Sequence, residues 1–172
     1  MENITLVFRY AGRLESLSVL GLEDYAIFPL LEDHPNSLPS LRSFKILSTY
    51  KGWRLDLDIG EAQFISLAHF LCGKKELRAL DIHMWTEGWS SLEPLWDMLK
   101  QLPSLEVLGI TTGIGVFARE DFLSFAAALP PNLSALRVNS QWDIGEGGEN
   151  DGCSTLVRTF CLSAIACVRS NC

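Results

Sequence analysis

The sequence predicts an α/β solenoid: a curved parallel sheet on the concave side, helices on the convex side, about five repeats. Three observations carry that expectation. The first is a phrase written twice, LPSLRSFKI at residues 38–46 and LPSLEVLGI at residues 102–110. The second is the apolar skeleton inside the phrase, a Leu followed by apolar residues at +3 and +5. It recurs at Leu14-Leu17-Val19, Leu41-Phe44-Ile46, Leu77-Leu80-Ile82, Leu105-Leu108-Ile110 and Leu133-Leu136-Val138. The leading leucines are spaced by 27, 36, 28 and 28 residues. The third is a change of period between these segments, from the twofold alternation of a strand to the spacing of a helix.

A period in the twenties carrying Leu-x-x-Leu-x-Leu is the signature of a leucine-rich repeat, in which each unit supplies one strand and one outer helix. The chain opens with MENITLVFRY, whose run ITLVF reads as strand-like and leads directly into the first repeat. The linker DYAIFPLLEDHPNS is a weaker helix, with Pro29 inside it and Pro35 beyond its end. Phe64, Leu67, Ala68 and Leu71 fall at i, i+3, i+4 and i+7. Leu92, Leu95, Trp96 and Leu99 repeat the spacing, and so do Phe122, Phe125, Ala126 and Leu129. Each stripe therefore marks a helix preceding a strand. Pro39, Pro103 and the Pro130-Pro131 pair stop these helices and bias the preceding residue toward extended backbone. The repeated phrase is thus a helix stop followed by a strand start.

Two segments depart from the repeat. The 36-residue interval contains STYKGWRLDLDIG, where Leu55, Leu57 and Ile59 alternate with Asp56 and Asp58, the pattern of an additional short strand or hairpin. After the last strand, QWDIGEGGENDG is Gly-rich and acidic and reads as a loop. Val157, Phe160, Cys161, Ala164 and Val168 then form an apolar stripe suited to covering the open end of a solenoid. The expected organisation is a repeat region over 1–142, an acidic loop over 143–152 and a capping helix over 153–172.

Composition narrows the function classes. A formal charge of −7 disfavours nucleic acid and anionic membrane as partners, because both require clustered Lys and Arg. No apolar stretch reaches the roughly 18 residues of a membrane span, and the N-terminus lacks the pattern of a secretory signal. Five cysteines without secretory context point to reduced thiols and a cytoplasmic or nuclear protein. The sequons at Asn3 and Asn132 read as chance matches for the same reason.

Little in the sequence suggests catalysis. The acidic residues Asp143, Glu146, Glu149 and Asp151 do not have the ligand spacing of a calcium loop. Cys153, Cys161, Cys167 and Cys172 lack the paired knuckles of a zinc site. No nucleophile-elbow, zincin or phosphate-loop motif is present, and no cofactor is implied. Of His34, His69 and His83, the last is notable. It follows Asp81 by two residues, so both side chains are expected on one face of a strand, where a His–carboxylate pair can act as a general base. On a repeat strand the more economical reading is a contact residue.

With +0, +3 and +5 turned inward, the +2, +4 and +6 positions face out. The +4 row reads Ser18, Lys45, Asp81, Gly109, Arg137, and the +6 row Leu20, Leu47, His83, Thr111, Asn139. The +2 row, Ser16, Ser43, Ala79, Val107, Ala135, is small throughout. Trp85, Trp89 and Trp142 leave the strands beside this face, and Trp is a frequent interface anchor. The expected partner-binding residues are Lys45, Leu47, Asp81, His83, Trp85, Thr111, Arg137 and Asn139. The expected function is a non-catalytic protein–protein interaction module.

On the residues LPSLRSFKI, FLCGKKELRALDIHMW, LKQLPSLEVLGI and LPPNLSALRV, the chain resembles the F-box/leucine-rich-repeat-like proteins of mushroom-forming (basidiomycete) fungi across residues 14 to 142. In that family the F-box docks onto the adaptor of an SCF-type ubiquitin ligase and the repeats hold the substrate. The resemblance implies substrate recognition for this chain, with ubiquitin-ligase components as partners. It is confined to the repeats: the first is expected to begin too close to Met1 to leave room for an F-box, which leaves open a fragment, a truncated gene product or a stand-alone repeat protein, with a ligase role through an F-box supplied elsewhere as the alternative. Trp85, Gly113 and Gln141 stand where many such repeats place an Asn after the strand.

Overall fold

The computed structural model describes residues 2–20, 27–47, 61–83, 92–112 and 119–140. Helices and strands alternate along these segments: α1 (Glu2–Tyr10), β1 (Ser16–Leu20), α2 (Ile27–Asp33), β2 (Ser43–Leu47), α3 (Glu61–Cys72), β3 (Ala79–His83), α4 (Glu93–Leu99), β4 (Val107–Thr112), α5 (Arg119–Ala128) and β5 (Ala135–Ser140). The five strands form one open parallel sheet in the order β1-β2-β3-β4-β5, each strand beside its sequence neighbours. This is a solenoid-like arrangement in which every unit contacts the units before and after it.

Burial follows the expected rows. Leu41, Phe44 and Ile46, then Leu77, Leu80 and Ile82, then Leu105, Leu108 and Ile110 are all buried. They meet Phe64, Leu67 and Leu71 of α3, Leu95, Trp96 and Leu99 of α4, and Phe125 of α5 with Leu129 just after it, in one continuous core. Trp96 and Phe125 carry that packing between the last two helices, their rings 4.9 Å apart. Among the described residues, the helices cover one face of the sheet and leave the other open. Pro29 is the third residue of α2, within the first turn, where backbone N–H groups have no intrahelical acceptor.

The connection into each strand is a repeated hydrogen-bonded turn. The amide of each leading leucine bonds the carbonyl three residues earlier: Leu14 to Ala11, Leu41 to Leu38, Leu77 to Lys74, Leu105 to Leu102 and Leu133 to Pro130. The carbonyl at the start of one strand then receives two consecutive amides of the next, as Glu15 does from Arg42 and Ser43 and Arg42 does from Arg78 and Ala79. Side chains echo this ladder. Arg42 lies between Glu15 and Glu76, and Arg78 meets Glu106.

Two local expectations are corrected. ITLVF belongs to helix α1, not to a strand. A short apolar run fits either period, and the tertiary partners decided between them. Ile4, Phe8 and Ala11 share a helical face, and Phe8 is 3 % exposed, stacked on His34 and edge-on to Phe70. The second correction is at Leu38, before Pro39, which has a left-handed backbone (φ 53°) instead of an extended one. Its side chain is sealed in the core and its carbonyl closes the turn to Leu41, which together offset the strain of that conformation. The expected extra strand in 48–60, the loop over 143–152 and the capping helix over 153–172 lie outside the described residues.

Candidate functional site: the open face of the sheet

Strand pairing places the +4 residues in direct register. Ser18 pairs with Lys45, Lys45 with Asp81, Asp81 with Gly109 and Gly109 with Arg137. Because side chains alternate along a strand, the whole row emerges on the face the helices leave open. The +2 row, Ser16, Ser43, Ala79, Val107 and Ala135, lies beside it in the same register. The two rows line a shallow trough of 390 Å³ that runs across all five strands, from Ser18 to Arg137.

Three charged groups occupy this trough. The Asp81 carboxylate forms an ion pair with Lys45 Nζ at 3.0 Å and accepts hydrogen bonds from Arg137 Nη2 at 2.8 and 3.1 Å. Lys45 is one strand away, but Arg137 is two strands away and must pass over β4. Gly109 stands at the crossing. A Cβ there would overlap Asp81 Oδ1, lie 3.1 Å from its Cγ and come within 3.4 Å of Arg137 Nη2. The missing side chain at Gly109 is therefore a condition of the ion pair.

His83 lies two residues beyond Asp81 and is half-buried. Burial pushes its pKa below the ordinary histidine value; the Asp81 charge opposes this, and Arg137 and Lys45 reinforce it. The imidazole is consequently neutral at neutral pH. Among the described residues, the hydrogen bonds to Asp81 come from Arg137, Lys45 pairs with it as an ion, and no hydrogen bond joins it to His83.

The remaining expected contact residues divide. Leu47 is half-buried on the same face, and Leu20, at the equivalent position of β1, is strongly exposed. Thr111, on the same face of β4, is 9 % exposed. Asn139 is on β5, paired with Thr111, and its side chain is not described; Trp85, Trp89 and Trp142 lie outside the described residues.

Sequence reasoning missed two features. Gly109 stood in the +4 row without a role, because a spacer is recognised only by what crosses it. Lys74 was overlooked entirely. It occupies the turn position held by Leu38, Leu102 and Pro130 in the other units and is only 2 % exposed. Its Nζ lies over the Phe70 ring, 4.4 Å from the ring centre, and donates to the Pro35 carbonyl at 2.9 Å in a part-buried setting. Desolvation lowers its pKa to about 8. A register count from the leading leucine, Lys74 to Leu77, was the available signal.

Among the described residues no group of His, Cys, Asp and Glu has the arrangement of a metal site, and no helix is long and apolar enough to cross a membrane. The architecture thus defines an α/β protein of sequentially stacked strand–helix units with one open sheet face. Compared with protein-family models and with curated proteins, the chain matches none.

Proposed function

We propose that the chain is a leucine-rich-repeat solenoid and serves as a non-catalytic module that binds a partner protein on the open face of its sheet, the concave face of such a solenoid. The observation that carries this reading is the register. Five equivalent positions, one per strand, assemble into a single accessible trough carrying charges of both signs. Sheet-face troughs of this breadth suit an extended surface better than a small substrate, which favours an enclosed, mostly apolar cavity. The engagement of Asp81 by two cations also favours recognition over general-base chemistry with His83, since a base-orienting carboxylate must be directed at the imidazole.

The test is affinity capture with the tagged chain from a native extract, beside the triple variant Lys45→Ala, Asp81→Ala, Arg137→Ala. A protein retained by the wild type and lost from a variant with an unchanged cooperative melt locates binding on the trough. Retention of the same proteins by both forms would move the binding surface elsewhere. Recovery of a ubiquitin-ligase adaptor in the trough-dependent fraction would add the substrate-recognition role that the sequence resemblance implies.

A further inference from the structure

We propose that the trough receives an extended, acidic peptide segment laid across the strands, with a carboxylate side chain of that segment held between Lys45 and Arg137. The proposal rests on the open face being a protein-binding surface and names the chemistry of the partner.

Charge balance is the first argument. One carboxylate is shared by two cations, so among the described residues the cluster carries a net positive charge, within a chain whose formal net charge is −7. Exposure shows which sign a visitor meets. The side chain of Asp81 is 23 % exposed, whereas those of Lys45 and Arg137 are 40 % and 52 % exposed. The carboxylate thus lies beneath the cations and the outward charge is positive.

Donor capacity is the second argument. Arg137 spends only Nη2 on Asp81, contacting both oxygens with the one nitrogen. A guanidinium carries five N–H donors, and among the described residues Nη1 and Nε have no acceptor. Lys45 makes one contact to Oδ2 and likewise retains donors. Asp81 acts as a partly buried tether that holds two cations in place for a second anion, which lowers the ordering cost of receiving it.

Geometry supplies the third. The trough crosses five strands, four spacings of about 4.8 Å, a span of about 19 Å that matches roughly six residues of extended chain. Ser43, Ala79, Gly109 and Ala135 keep its floor low, and Val107, 44 % exposed, provides an apolar contact alongside.

The experiment is selection of a random-sequence peptide library displayed on phage against the full chain. Enriched peptides are then synthesised and titrated against the wild type, Arg137→Gln, the Lys45→Gln/Arg137→Gln pair and Asp81→Asn, each checked for a cooperative melt. The expected result is enrichment of Asp and Glu and affinity that falls with added salt. Arg137→Gln is expected to weaken binding about tenfold, and Asp81→Asn to tighten it, because the Asn oxygen still accepts from the cations and so keeps the tether, while the competing negative charge is gone. Peptides without acidic enrichment whose binding still disappears in the paired variant would overturn the acidic class while leaving the open face as the binding surface. Peptides that bind every variant alike, or no enrichment at all, would overturn both readings.

Discussion

Arg137 on β5 reaches Asp81 on β3 at 2.8 Å by passing over β4 at Gly109, the residue that pairs in register with both. An ion pair across two strand spacings exists here because the strand between them contributes no side chain. The relationship couples three strands through one carboxylate, since Lys45 of β2 holds the other oxygen.

Gly109→Ala is expected to destabilise the protein by about 1 to 2 kcal/mol, through overlap with Asp81 and loss of the Arg137 contact. Chemical denaturation measures the loss. The same substitution in an Asp81→Ala background is expected to be nearly neutral, because the overlapping oxygen is gone. Equal losses in the two backgrounds would mean that Gly109 is needed for its backbone and not for the crossing.

Phe8→Ala is expected to remove about 3 kcal/mol. Phe8 is the buried anchor of α1 on His34 and Phe70, so its truncation leaves a cavity and loosens the helix. Hydrogen exchange is the discriminating readout: α1 amides should lose protection well before those of β3 and β4. Uniform loss across the chain would contradict a local docking role.

Lys74→Leu places the residue type of Leu38 and Leu102 at the equivalent turn and is expected to stabilise the fold at pH 7 by about 1 kcal/mol, after the lost Pro35 hydrogen bond is counted. The folded pKa is depressed to about 8 from 10.5, so the unfolded chain binds more protons between those values. Wild-type stability therefore gains from this group as pH rises from 8 toward 10.5, and the advantage of Lys74→Leu should shrink over that window. Paired denaturation curves at pH 7 and pH 10 test both statements.

His83 has a folded pKa held below its ordinary value mainly by burial. Its contribution to stability is present above the unfolded value near 6.5 and is lost as pH falls through the folded value. Titration of its ring resonances by NMR is expected to show the depression, a further fall in Asp81→Asn and a rise in Arg137→Gln. A pKa that does not respond to either variant would place His83 outside the field of the cluster.

Period alone determined most of the framework. The leading leucines marked the buried rows of the three middle units, with Leu14, Leu17 and Leu133 of the end units only partly buried, and their spacing set the strand register down to the Ser18, Lys45, Asp81, Gly109, Arg137 row, because equivalent positions must align when the units stack. Composition, by contrast, carries no distance information. That Asp81 is shared by Lys45 and Arg137, that Gly109 is their passage and that Lys74 replaces a core leucine are properties of side chains meeting across units. The tertiary structure also decided ITLVF, whose apolar residues satisfy two periods and became a helix once Phe8 found Phe70. Local pattern specifies the element where one face must be buried, and long-range packing decides where the pattern permits two answers.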